Sequence, residues 1–353
     1  MKALILGGTG AIGQHLVNIL SQSNIETFVT SRKSRESFGT VKFIQGNAQE
    51  DEFLISLLNQ KFDMIVDFMV YSTIDFSKKI NLLLQNTNQY VYISSSRVYA
   101  KSNVVLTENS PRLLDVCEDK KYLSTEEYAL IKARQEDILF NNKRINWTIV
   151  RPYITYSNNR LQFGLLEKEG WLYRALYGHK VVFPVDLFEK KTTLTHGYDV
   201  ARGVFSILGQ ESALSNAFHI TNDISITWSD VWNCYKQTIL HLTSKDPEIF
   251  LCGIKEFEKA HKGFYQLHYD RMYDRLFSNE KIKKYIDTSG FIHPAEGLNT
   301  CLSDFLSNLP IGESLISYGS EGSKDRISKE YWNFSDIRSL KNIFKYTIRR
   351  IGL

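Results

Sequence analysis

Two residues define the chemistry this sequence makes available. Tyr128 and Lys132, in Tyr128-Ala-Leu-Ile-Lys132, are four apart, so on a helix they project from one face. An ammonium beside a phenol favours the phenolate and draws its pKa from about 10 toward working pH. Such a pair gives and takes a proton in carbonyl–alcohol interconversion. A serine hydroxyl beside it would hold the reacting oxygen, and the run Ser94-Ser95-Ser96-Arg97-Val98-Tyr99 offers Ser94, Ser95 and Ser96. The Tyr–Lys spacing alone is common on surface helices; its weight comes from what surrounds it.

A second constellation suits phosphate. Gly7-Gly8-Thr9-Gly10-Ala11-Ile12-Gly13 follows an apolar run and opens a stretch with apolar residues at helical spacing, Ile12, Leu16, Ile19 and Leu20. Gly8, Gly10 and Gly13 fit GxGxxG; Gly7, Gly10 and Gly13 fit GxxGxxG. The early glycines permit a tight turn and close backbone approach to a pyrophosphate. The last lets helix and strand pack, and the helix N-terminus faces the phosphates. The next strand runs out through Val29-Thr30-Ser31-Arg32-Lys33-Ser34-Arg35, with no carboxylate. An acid there binds a ribose 2′-hydroxyl, whereas a base accommodates a 2′-phosphate. Ser31 and Arg32 therefore favour NADP, with NAD as the alternative. Asn47 is placed to hydrogen-bond adenine, and Phe68, Met69 and Val70 to pack on the cofactor. Asp67 reads as a turn-capping carboxylate.

The elements that must position these groups alternate. Strands are expected at Lys2–Leu6, Thr27–Thr30, Val41–Gln45, Met64–Phe68 and Tyr90–Ser94, with helical patterns at 11–22, 50–58 and 76–85. Such alternation gives βαβ units and a parallel sheet. The expected fold is α/β: a Rossmann-like doubly wound sheet with a smaller, interleaved C-terminal substrate domain. The expected boundaries are 1–157 and 190–232 for the dinucleotide domain, 158–189 and 233–323 for the substrate part, and 324–353 for a tail. The serine run follows the fifth strand and opens at the sheet's carboxyl edge, where ligands bind in such folds.

With these motifs in order, the chain resembles the extended short-chain dehydrogenase/reductase family of nucleotide-sugar epimerases, dehydratases and reductases. The matches are Gly7/Gly10/Gly13, the Ser94–Tyr99 run, Tyr128-xxx-Lys132 with Glu136, Arg151-Pro152-Tyr153 with Tyr156, Thr195-His196-Gly197-Tyr198-Asp199-Val200-Ala201, and Ala217–Ile220. The resemblance covers roughly residues 1–310. It implies a catalytic set of Ser95, Tyr128 and Lys132, with Lys132 also on the nicotinamide ribose. It implies cofactor contacts from Thr9, Ala11, Ile12, Pro152 and Tyr153 besides those above. Substrate contacts would come from Ser95, Ser96, Arg97, Tyr128 and Tyr156, and from loops 158–164 and 171–184. It implies a homodimer through the Tyr128 helix and the helix near 76–85.

The family's 4,6-dehydratases carry Asp-Glu directly after the catalytic hydroxyl residue; here Ser96-Arg97 stands there, against dehydration. The basic strand end tilts the reading to an NADPH-dependent keto-sugar reductase, with a nucleotide-sugar epimerase as the alternative. An arginine frequent four residues before the later His is Thr192 here. That leaves Lys190 or Lys191 in its place, or a substrate with no nucleotide. His196 reads as structural.

Composition is that of an ordinary globular chain: 353 residues, 43% hydrophobic, 23% charged, net charge +4. Four scattered cysteines suggest neither zinc nor disulfides, and no run is long enough to span a membrane. The expectation is a cytoplasmic enzyme with no metal and no nucleic-acid partner. A dinucleotide-sensing or RNA-associated relative is the rival class, set aside for want of a basic surplus. Residues 324–353 hold eight Lys/Arg against three Asp/Glu, leaving a nearly neutral body. In that tail Ile337, Leu340, Phe344, Ile348 and Ile351 share a helical face, and Arg338, Lys341, Lys345 and Arg349 line another. Such a helix packs on its own body or a partner subunit, or lies on the inner face of an anionic membrane.

Overall fold

The computed structural model describes residues 1–308, 316–337 and 339–352. Two compact units divide the chain. The first comprises 1–155, 193–224 and 276–292, and the second comprises 156–192, 225–275 and 293–353.

In the first unit, seven strands form one sheet: β1 (Lys2–Leu6), β2 (Glu26–Ser31), β3 (Val41–Gln45), β4 (Phe62–Asp67), β5 (Thr87–Ile93), β6 (Trp147–Arg151) and β7 (Asn216–His219). Their order is β7-β6-β5-β4-β1-β2-β3, every pair parallel. This is a Rossmann-like α/β fold. Strands covered on both faces read as apolar runs, and successive side chains serve opposite layers. Ala3 and Ile5 pack with Leu16, Leu20, Val200 and Val204 from helices Gly13–Gln22 and Gly197–Ile207. Leu4 and Leu6 pack with Leu54, Phe76, Ile80 and Leu139 on the other face. The chain turns one way from β1 to β2 and the other way to β4, so a crevice opens at the carboxyl ends beside β1.

The second unit has an aromatic core. Trp171 stacks on Tyr235 at 4.2 Å and Phe163 on Phe183 at 4.1 Å. Trp228 and Trp232, on helix Trp228–Thr243, are buried beside Phe163. Phe163, Trp171 and Phe183 come from the segments expected to line a substrate site; here they are core, and what those segments show to solvent is residues 158–160 with Tyr177 and Gly178. Arg174 is buried among Glu321 (2.7 Å), Asp325 (2.8 Å) and Glu330 (3.2 Å). This cluster ties helix Tyr318–Ser328 into the unit.

Several boundaries differ from the sequence expectation. Residues 276–292 belong to the first unit, because Leu276 and Ser278 bond to Leu106 and because Asn279 bonds to Thr221. Residues 225–232 belong to the second, with the helix they begin. Residues beyond 324 are not a separate tail but part of the second unit. The terminal helix starts at Leu340, so Ile337 lies outside it, buried next to Trp332. Arg338 lies outside the described residues.

Candidate active site

The glycine turn joins β1 to helix Gly13–Gln22, and each glycine has its own reason. Gly7 has φ +73°, a conformation costly for any side chain. A Cβ on Gly8 would lie 2.7 Å from Ile5 Cγ2, and one on Gly13 2.7 Å from the Gly8 backbone, so these two serve packing. A Cβ on Gly10 would meet no atom within 4 Å. Gly10 thus faces open space, the cradle a phosphate group needs beside a helix N-terminus.

That space is a cavity of about 380 Å³ lined by Gly7, Thr9, Gly10, Ser31, Arg32, Asn47, Phe68 and Met69, all singled out from sequence. Val70, read with Phe68 and Met69 from the sequence, lines it too; Thr30, Gly46, Ala48 and Gln49 also line it and were missed. Their signal is position, within four residues of a strand's carboxyl end. Thr30 has a further role: its hydroxyl accepts the Gly7 N–H at 3.1 Å and holds the turn against β2. Asn47 is engaged in a local turn, accepting from Gln49 N and donating to Glu50. The cavity's size, its glycine floor and its basic rim fit the adenosine half of a dinucleotide.

Ala11 and Ile12 are not cavity-lining. The Ala11 carbonyl abuts Gly197, where a Cβ would lie 2.1 Å away, and Ile12 packs against the core. His196 caps the helix that follows, its Nδ1 accepting the Tyr198 N–H at 3.1 Å. Burial, then the neighbouring His15, pushes His196 down to about 4, so it stays neutral near pH 7.

Asp67, buried at the end of β4, accepts from Met69 N (2.8 Å), Tyr90 Oη (2.9 Å) and Tyr71 Oη (3.2 Å). Burial pushes its carboxyl up to about 6, against the pull of those donors and of Lys132.

Tyr128 is the first residue of helix Tyr128–Phe140, which Glu127 caps by accepting the Ala129 N–H at 2.8 Å. The inward face of this helix mixes apolar Ala129, Leu130, Ala133 and Leu139 with polar Lys132, Gln135 and Glu136. Lys132 Nζ donates to the Ile93 carbonyl at 2.8 Å, Gln135 bonds Tyr92, and Glu136 accepts from Ser94 Oγ at 2.6 Å. Three bonds to the end of β5 therefore hold the helix in register. Lys132 Nζ lies 5.8 Å from the Tyr128 ring centre, and burial brings its ammonium down to about 8. The turn Ser96–Val98 packs against the same helix.

The three serines separate by their partners. Ser94 Oγ donates to Glu136, and Ser96 Oγ, fully buried, donates to the Arg151 carbonyl at 2.8 Å. Ser95 Oγ accepts from Arg97 N at 3.2 Å, an acceptor role that leaves its own proton available to donate. Ser96 is thus a structural hydrogen bond and not a substrate contact. Tyr156 is also sealed away: fully buried in the second unit, its ring lies where a Cβ on Gly297 would clash. Pro152 offers its carbonyl to Ser96 N, and Tyr153 packs against Phe277 at 5.0 Å. Arg97 lies over Tyr128, its Cζ 5.3 Å from the ring centre, and is paired with Glu127.

Beneath the serines runs a buried network that sequence reasoning did not anticipate. Arg151 grips Glu136 with two bonds of 2.8 Å and donates to Tyr99 Oη at 2.6 Å. Tyr99 Oη meets His219 Nε2 at 2.7 Å, and His219 Nδ1 faces the Ser278 carbonyl at 2.9 Å. A carbonyl at Nδ1 requires the proton there, so Nε2 accepts from Tyr99. Burial keeps that imidazole neutral.

The profile of the NAD dependent epimerase/dehydratase family matches residues 3–220. The chloroplast stem-loop binding protein of 41 kDa b from Arabidopsis thaliana is 24% identical over 278 residues, 74% of this chain and 68% of that protein. A UDP-glucose 4-epimerase from Lactobacillus helveticus is 30% identical over 155 residues, 39% of this chain and 46% of its own length. Among solved structures, the UDP-glucuronic acid 4-epimerase from Bacillus cereus, in complex with UDP-glucuronic acid and NAD, superposes with a TM-score of 0.65. Its identity is 14%, covering 88% of this chain and all of that one. The glycine turn, the parallel sheet and the Tyr128–Lys132 helix lie within the matched span: the chain belongs to the NAD dependent epimerase/dehydratase family.

Proposed function

We propose that this chain is an NAD(P)-dependent oxidoreductase acting at a carbonyl or alcohol carbon of a nucleotide-linked sugar, and that it works as an NADPH-dependent keto-sugar reductase. The observation that carries this reading is the grouping of Tyr128, Lys132 and Ser95 at the carboxyl edge of the same unit that holds the glycine-floored cavity. A reduced nicotinamide held over the glycine turn would supply the hydride for the carbonyl carbon. Tyr128 Oη gives its proton to the sugar oxygen, and Ser95 Oγ donates a hydrogen bond to that oxygen. Lys132 holds positive charge beside the phenol and favours the phenolate left behind. Ser31 and Arg32 receive a 2′-phosphate, since that strand end carries no carboxylate. The sequence resemblance extends the proposal to a cytoplasmic homodimer formed through helices Thr73–Gln85 and Tyr128–Phe140, which pack on each other.

A second reading, an NAD-dependent 4-epimerase, is favoured by the UDP-glucose epimerase relative and the UDP-glucuronate epimerase structure. A third, RNA binding, is favoured by the name of the stem-loop binding relative. The nearly neutral body of the chain and the retained Tyr128 and Lys132 weigh against it. One assay separates the three. Incubation with UDP-4-keto sugars and NADPH should consume the cofactor in proportion to sugar alcohol formed. Conversion of UDP-glucose to an isomer with no net cofactor consumption establishes the epimerase. Absence of both, with RNA retained on a filter, establishes the binding role.

A further inference from the structure

We propose that the C-terminal helix Leu340–Ile351 is a docking surface for an anionic lipid bilayer. This reading is independent of the sugar chemistry and rests on how the helix is seated in the second unit. Its inner side is fixed. A Cβ on Gly322 would lie 2.2 Å from the Tyr346 carbonyl oxygen, so the two helices approach to backbone contact there. Tyr346, 2% exposed, donates to Asp325 at 2.6 Å and accepts from Trp332 N at 2.8 Å. That side cannot turn outward without breaking both bonds.

At about 100° per residue, Leu340, Phe344 and Ile351 then lie roughly 120–160° round the helix from Tyr346. They are 84%, 66% and 64% exposed. An amphipathic helix ordinarily buries its apolar stripe against its own fold. This helix is held by Tyr346, by Ile343 packed against the same cluster and by close backbone contact, and it turns Leu340, Phe344 and Ile351 to solvent.

The charges beside the stripe indicate what covers it. Lys341, Lys345 and Arg349 recur every fourth residue in a row along one edge, and residues 340–352 contain no Asp or Glu. A second copy of the chain docked symmetrically through this face would bring one cationic row against another. An anionic bilayer takes the apolar side chains below its headgroups and neutralises the row at their level. At twelve residues the helix is about 18 Å long. Among the described residues no helix is long and apolar enough to cross a membrane. The geometry is that of a helix lying in the interface.

The test is sedimentation of the full-length protein with vesicles of phosphatidylcholine alone or mixed with phosphatidylglycerol. Binding is expected to the mixed vesicles only and to fall with added salt. Phe344→Glu should abolish it, and Lys341→Glu with Lys345→Glu should weaken it about a hundred-fold. All three positions are exposed, and unchanged thermal unfolding and unchanged turnover of soluble substrate will show that each variant is folded. Equal recovery with and without phosphatidylglycerol, or none with either, overturns the proposal. So does a dimer in sedimentation that Phe344→Glu dissociates, which assigns the face to a second copy.

Discussion

The Arg97 guanidinium carbon lies 5.3 Å from the centre of the Tyr128 ring, and Arg97 Nη2 donates to Glu127 at 2.5 Å. Glu127 also caps the helix that Tyr128 begins, so one carboxylate fixes both the cation and the turn carrying the phenol. With Lys132 Nζ 5.8 Å from the same ring, two cations flank it. Each favours the ionised phenol. Arg97→Met is therefore expected to lower kcat/KM about ten-fold at neutral pH and to move the rate profile about one unit to higher pH. Arg97→Lys should restore part of both. The pH dependence of kcat/KM reads this, and an unmoved profile would remove Arg97 from the chemistry.

Lys132 combines function with a stability cost. Burial, opposed by Asp67 and Glu136, brings its ammonium from 10.5 down to about 8. Between those values the folded protein holds fewer protons than the unfolded chain, so stability from this group rises with pH across that window. At pH 7 the cost of the buried charge is fully present. Lys132→Met should gain about 1–2 kcal/mol there, after loss of the Ile93 bond, while turnover falls at least about a hundred-fold. Urea unfolding at pH 7 and pH 10.5 checks it: the gain must shrink at the higher pH.

Glu136 meets Arg151 through two bonds of 2.8 Å, with both side chains buried. Glu136→Gln leaves the guanidinium without its counter-charge, an imbalance that costs about 3–5 kcal/mol. The exposed Lys42–Glu26 pair is the control, since Glu26→Gln should leave the denaturation midpoint unmoved. Equal midpoint shifts in the two variants would contradict the role given to the buried network.

The glycine turn predicts two different phenotypes. Gly13→Ala forces a methyl 2.7 Å from the Gly8 backbone, so it should lower the unfolding temperature by several degrees even without cofactor. Gly10→Ala meets nothing within 4 Å and should leave the free protein's unfolding unchanged. Its methyl projects into the phosphate cradle, so the stabilisation that added NADPH gives should be lost. Thermal unfolding with and without cofactor distinguishes them.

The sheet was legible because both of its faces are buried. Runs such as Ala3–Leu6 are apolar throughout and are separated by turn signals, so type and order could be read directly. The Tyr128 helix was legible chiefly through its motif, since polar Lys132, Gln135 and Glu136 face inward among Leu130, Ala133 and Leu139 and interrupt the apolar stripe. Arg151, Tyr99 and His219 are distant in sequence, and only the parallel stacking of β5, β6 and β7 brings them together. The return of residues 276–292 to the first unit rests on long-range contacts, Asn279 to Thr221 and Ile282 and Phe291 in the core, for which no local pattern exists. Tyr156 and Ser96 were misplaced for a related reason: a motif gives a position along the chain, whereas burial depends on neighbours such as Gly297 and the Arg151 carbonyl.

Cofactor choice should turn on the end of β2. Ser31, 8% exposed, accepts from Lys33 N at 3.3 Å, and Arg32 lies beside it on the cavity rim. A carboxylate at 31 would accept both ribose hydroxyls of NAD and repel the 2′-phosphate of NADP. Ser31→Asp combined with Arg32→Ser should therefore weaken NADPH binding at least about ten-fold while strengthening NADH binding. Ligand fluorescence titration gives both dissociation constants without turnover. Replacement of Arg32 alone tests the basic partner: if Arg32→Ser leaves NADPH and NADH affinities in their original ratio, the 2′-phosphate is not read at this strand end. The adenosine pocket would then accept either dinucleotide, and cofactor choice would no longer favour a net reductase over an epimerase.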